Sequence, residues 1–113
     1  MPLILKKMKT RRSEMHVQVI NFSLAISHDE FAEGAVELAP IFAELPGLIS
    51  KHWLGNPETG IYGGVYLWES REACEAYING EVFAAVRDNE NHIDVISKDF
   101  PILEEPTKIT RGL

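Results

Sequence analysis

Residues 68–86 read WESREACEAYINGEVFAAV. Trp68 closes a strand-like run, and Ser70 caps a helix with Glu72 in its first turn, where the positive helix end favours an acid. An apolar stripe follows at helical spacing, Asn79-Gly80 breaks it, and a second short apolar helix resumes beyond. The question is what these helices cover.

Upstream, IYGGVYLW at 61–68 and the run from Leu48 to about Leu54 predict two strands, joined into a hairpin by the turn formers GNPETG at 55–60. Ser27 with Glu30 three positions on makes a capping box. Phe31, Ala35, Leu38, Phe42 and Leu45 then form a helical core stripe. Pro40 predicts a kink or break inside that helix, which should end at Pro46-Gly47. HVQVINFSL at 16–24 is the first strand, and His92 to Leu103 the last. Residues 104–113, EEPTKITRGL, are expected to form a tail in which Pro106 limits regular structure.

The order is βαβ followed by βαβ, which predicts an α+β, ferredoxin-like sandwich: a four-stranded antiparallel sheet with both helices on one face. Yet both faces of the strands are apolar. Strand 1 alternates Val17, Val19 and Asn21 with Ile20, Phe22 and Leu24. Strand 3 sets Ile61, Val65 and Leu67 against Tyr62, Tyr66 and Trp68, and strand 4 sets Ile93 and Val95 against Ile96, Phe100 and Ile102. Helices cover one face only, so the other predicts a homodimer with its sheets stacked face to face.

The 113 residues suit one domain, with 45% hydrophobic and 25% charged residues. One cysteine, Cys74, excludes an intrachain disulfide and fits a reducing, cytoplasmic setting. No apolar run is long enough to span a bilayer, and the opening MPLILKK has its basic residues on the wrong side for a secretory signal. The net charge of -6 is uneven. Residues 1–14 hold five of the eleven basic residues and read as a basic extension, leaving residues 15–113 as an acidic domain that repels nucleic-acid phosphates.

The histidines, His16, His28, His52 and His92, show no metal-ligand spacing, so no protein-ligated metal is expected. Cys74 reads as a small buried hydrophobe with no base placed beside it by sequence. Gly63-Gly64, mid-strand, reads as a bulge or as space left for a neighbour. Asn21 shares its parity with Val17 and Val19. If that parity faces the helices, Asn21 is a polar group in an apolar layer and needs a partner. Trp53, Tyr66, Trp68, Tyr77 and Phe83 could line an apolar cavity between sheet and helices, or simply fill the core.

The pattern W-x-S-x-x-A-x-x-x-aromatic-x-x-x-x-V-F-x-A within residues 68–86 resembles the second-helix region of the dimeric α/β-barrel superfamily that includes the antibiotic biosynthesis monooxygenases. PGL at 46–48, K-x-W at 51–53, GG-x-YLW at 63–68 and EAY at 75–77 look most like the YdhR-type monooxygenases, over roughly residues 16–103. That resemblance implies pairing into a dimeric α/β barrel. It implies a cofactor-independent monooxygenase acting on a small apolar aromatic or polycyclic substrate, with a non-catalytic ligand-binding or regulatory barrel as the alternative. Asn21 and Tyr77 would be its hydrogen-bonding catalytic groups, and His52 a base if it reaches the cavity. Trp53, Tyr66, Trp68, Phe83 and Arg87 would contact substrate. Haem-degrading relatives carry an Asn on strand 1, a Trp on helix 2 and a His ten residues later. Here those positions hold Asn21, Tyr77 and Arg87, so the axial imidazole is missing and no cofactor is expected. RNA-recognition modules share this topology and expose strand aromatics, a role that Tyr62 and Tyr66 fit superficially, but the basic residues of that module's strand 3 are missing, the body is acidic and the same face is wanted for dimerisation, so no nucleic-acid partner is expected.

Overall fold

A computed structural model describes residues 14–113. The basic extension, apart from Glu14, lies outside the described residues. The elements are β1 (His16–Leu24), α1 (His28–Ala43), β2 (Leu48–Asn56), β3 (Ile61–Trp68), α2 (Arg71–Ile78), α3 (Glu81–Asp88), β4 (His92–Pro101) and α4 (Glu104–Ile109). The sheet is antiparallel with strand order β2-β3-β1-β4, the ferredoxin-like order.

Local chemistry explains the boundaries. The Ser27–Glu30 capping box is complete. Ser70 accepts the Ala73 N–H at the start of α2. Asn79-Gly80 separates α2 from α3, and Gly80 caps the latter from extended backbone. Two expectations shift. Helix α1 continues through Pro40 to Ala43, because the hydrogen bond lost there belongs to the carbonyl of solvent-facing Val36, close to the helix end. The tail is not irregular, since Pro106 is the third residue of α4, where an N–H has no acceptor within the helix.

The core lies between the sheet and the helices, on the even-numbered face of β1. Ile20, Phe22, Tyr62, Tyr66 and Trp68 meet Phe42, Cys74, Tyr77 and Phe83 there. Tyr62 and Tyr66 are thus under the helices, not on an exposed stacking platform. Two polar residues share this buried face and both are satisfied. Gln18 accepts from Trp68 Nε1 at 3.0 Å and donates to Ser97 Oγ at 2.9 Å, and His16 Nε2 meets Asp99 Oδ1 at 2.6 Å.

Strand β4 does not keep one parity. Its register against β1 shifts between Asn21 and Ser23, where Asp94 takes a positive φ of 55°. This bulge inserts one residue, so Ile93 joins Ile96 and Phe100 on the open face, while Val95 turns to the core. Simple alternation would have paired Ile93 with Val95. The open face carries Val17, Val19, Val65 and Leu67, with Ile61, Ile93, Ile96 and Phe100 all at least 44% exposed. No helix among the described residues is long and apolar enough to cross a membrane.

Candidate active site

Helices α1 and α3 stand apart above the sheet and leave a cavity of about 470 Å³. Phe31, Ala35, Leu38 and Phe42 face it from α1 at helical spacing, and Val82, Ala85 and Val86 from α3. The α1 stripe is therefore divided between core and cavity: Phe42 is buried, whereas Leu38 stays 48% exposed along the cavity wall. The floor is Phe22, Lys51, Trp53, Gly63, Tyr66 and His92, and the exposed Glu30 and Glu81 are among the lining residues.

Lys51 is the unusual group. Register places it opposite Tyr66, on the helix side of β2. Its Nζ lies 3.5 Å from the ring centroid of Phe42 and 3.4 Å from that of Trp53, with Tyr66 at 4.6 Å. Among the described residues no carboxylate forms an ion pair with it. The aromatic faces favour the ammonium, each by about 0.5–2 kcal/mol, whereas burial disfavours it and lowers the Lys51 pKa from 10.5 to about 7. A lysine poised between amine and ammonium is thus aimed into an apolar cavity. Gly64 makes room for it, since a Cβ there would meet Lys51 Cε at 2.9 Å. Gly63, at φ 149°, lets β1 approach so closely that a Cβ would sit 1.8 Å from the Ile20 carbonyl oxygen.

His92 supplies a second polar group. Its ring stacks on Phe22 at 4.1 Å, and its Nδ1 lies 2.8 Å from the Val86 carbonyl oxygen. A carbonyl only accepts, so Nδ1 is the donor in this contact and Nε2 is the ring nitrogen left free of it. Behind the floor, the Tyr66 and Tyr77 hydroxyls meet at 3.0 Å. Burial, then the neighbouring Tyr77, pushes the Tyr66 phenol well above its usual range. Burial likewise pushes Tyr77 up to about 12, so both remain neutral hydrogen-bonding groups at ordinary pH.

A family model described as "Putative mono-oxygenase ydhR" matches residues 17–113. The chain belongs to this family. No curated protein matches it. Among solved structures, the ydhR-family chain is similar to NE2512 of Nitrosomonas europaea, at 10% identity and TM-score 0.66, covering 81% of this chain and 92% of that one. It is similar to SnoaB of Streptomyces nogalater, described as a cofactor-independent oxygenase, at 17% identity and TM-score 0.65, covering 80% and 95%. It is also similar to the Mycobacterium tuberculosis heme-degrader MhuD, solved with two hemes in its active site, at 22% identity and TM-score 0.63, covering 78% and 95%. At these identities the likeness shows a shared fold.

The residues singled out from the sequence of this ydhR-family member separate into groups. Trp53 and Tyr66 line the cavity. Tyr77 and Trp68 instead border a smaller hollow of about 260 Å³ between α2, α3 and the sheet, and Phe83 is buried against Tyr77. Asn21 is on the open face of β1 and donates to the Tyr62 carbonyl at 3.4 Å. His52 pairs with Val65 and is exposed on that same face, the side opposite Trp53. Arg87 is exposed and forks onto Asp88 at 2.9 and 3.0 Å, outside the cavity lining. Lys51 and His92 were missed as site residues. K-x-W had marked the position of Lys51, but a strand lysine reads as solvated until its face is known.

Proposed function

We propose that this protein is a cofactor-independent monooxygenase whose substrate is a small aromatic or polycyclic compound with an acidic enol or phenol. The observation that carries this is Lys51: an amine with a pKa of about 7, over three aromatic rings and facing an apolar cavity. The unprotonated amine takes the substrate's proton and becomes the counter-ion of the anion it has made. That electron-rich anion gives an electron to O₂, and the resulting radical pair closes to a peroxide. Lys51 returns its proton to the peroxide, which loses water and leaves a carbonyl. The balance is CH₂ plus O₂ to C=O plus H₂O, so no outside reductant is consumed. His92 Nε2 accepts a hydrogen bond from a second substrate hydroxyl. Asn21 and His52 have no place in this reading because they belong to the other face, and Tyr77 acts through Tyr66.

Family membership and the SnoaB-like fold support an oxygenase. Haem degradation has weaker support, since the position matching an axial histidine is Arg87, held by Asp88 at the surface. The apolar open face supports a homodimer, and the buried, lone Cys74 thiol suits a cytoplasmic setting.

The test is oxygen uptake with anthrone- and quinol-like substrates, without added flavin or metal. The expected kcat/KM rises with pH through about 7 as Lys51 loses its proton. Lys51→Met should lower it by about a hundredfold or more, the usual weight of a positioned base, and Lys51→Arg should fail to restore it. Tight binding of these compounds with no oxygen consumed would instead identify a ligand-binding barrel.

A further inference from the structure

A second cluster lies on the same side of the sheet as the cavity but outside its lining, at the beginning of β1. His16, Cys74 and Asp99 come from β1, α2 and β4, and one ligand-type atom from each falls within 4.8 Å of the other two. His16 and Cys74 are 3% and 0% exposed. The side chain of Asp99, on an edge strand, is 34% exposed. None of the three lines the cavity. Ser97 and Asp99 both turn inward because the Asp94 bulge sets the parity of β4, so an acid faces the helices where a sheet edge normally directs charge to water.

We propose that His16, Cys74 and Asp99 form a binding site for a divalent transition-metal ion of the zinc class. Imidazole nitrogen, thiolate sulfur and carboxylate oxygen are the donors this ion takes, and three protein ligands leave a fourth position for water. Tetrahedral coordination needs donor separations of roughly 3.4–3.6 Å given the usual Zn–S, Zn–N and Zn–O lengths. The 2.6 Å contact between His16 and Asp99 must open, and the longest separation, at most 4.8 Å, must close. Rotation of the Asp99 carboxylate, 34% exposed on the sheet edge, relieves the first and closes any long separation that involves Asp99. On binding, the Cys74 thiol releases its proton to water, and the thiolate and carboxylate together balance the 2+ charge. An ion held this way ties β1, α2 and β4 together at the end of the molecule remote from His92.

The test uses metal-free, reduced protein titrated with Zn²⁺ alone by calorimetry and with Co²⁺ alone by absorption. One equivalent should bind with micromolar affinity or better, Co²⁺ should give a thiolate charge-transfer band, and Zn²⁺ should raise Tm. Cys74→Ser and Asp99→Asn should each weaken binding by about tenfold or more, with Cys74→Ser also abolishing the band. Asp99→Asn alters a partly exposed group, so it stays informative if the buried variant folds poorly. His52→Gln, which removes an exposed histidine on the opposite face of the sheet, should change nothing. The proposal is overturned if wild-type protein binds no Zn²⁺ at micromolar concentrations, or if binding survives Cys74→Ser and disappears in His52→Gln.

Discussion

Lys51 shows how a single side chain can oppose stability while serving a site. Its folded pKa is near 7 and its unfolded value near 10.5. Below about pH 7 both states are protonated, and the folded chain bears the full cost of a desolvated ammonium. Between about 7 and 10.5 the unfolded chain holds a proton that the folded one has released, so stability rises with pH across that window and levels off above it. Lys51→Met removes the penalty. Its Tm should exceed that of wild type at pH 6 by at least about 4–8 °C, the shift that about 1 kcal/mol gives in a domain of this size, and the gain should shrink steadily toward pH 10. A Tm difference that is flat with pH would mean the amine is solvated. Little of this was legible in the sequence. The aromatic partners Trp53 and Tyr66 were found because residue type and parity agree, whereas Lys51 was passed over because lysine is rarely buried and its face depends on which side of β2 meets the helices.

At the scale of elements, caps and breaks were readable because each is written in two or three adjacent residues. Ser27 with Glu30, Ser70 and Asn79-Gly80 all act where their types predict. The elements misread depend on position within a partner. Pro106 is harmless because α4 begins two residues before it, and β4 changes parity because Asp94 adopts a left-handed conformation that most residue types resist. The bulge has a functional consequence. Without it His92 would leave the helix side if Ser97 and Asp99 stayed there, so the cavity's second polar group and the inward acid exist together only because of Asp94. Asp94→Val, a β-branched residue at φ 55°, should cost about 1–2 kcal/mol or more, while Asp94→Gly should be close to neutral. Urea unfolding of the two variants provides the comparison; equal stability would mean the strand tolerates a regular ladder there. If Asp94→Val folds by straightening β4, its substrate affinity should fall with the displacement of His92.

For the whole molecule, the element order, βαβ followed by βαβ, led to the observed layer arrangement, and apolar residues on both parities of strands 1, 3 and 4 raised the separate question of what covers the side the helices leave open. One side is now accounted for by three helices. The other presents Val17, Val19, Val65 and Leu67 at its centre and Ile61, Ile93, Ile96 and Phe100 toward its margins, with Asn21, Ser23, His52 and Lys98 among the polar residues of the same parity. Leu103 and Ile109, 77% and 78% exposed, extend the same character beyond the sheet along the tail. Burying such a face typically requires about 800 Å² from each partner in a stable complex, an area that a four-stranded sheet can supply against a copy of itself. Sedimentation at micromolar concentration should therefore give a dimer. Ile96 is 55% exposed in the single chain, so Ile96→Glu disturbs little internal packing, yet in a stacked dimer it would desolvate a carboxylate without a partner, weakening association by about a hundredfold or more. The variant should sediment as a monomer with its tryptophan fluorescence, from Trp53 and Trp68 on the helix side, unchanged, and wild type running as a monomer would remove the reason for the apolar face.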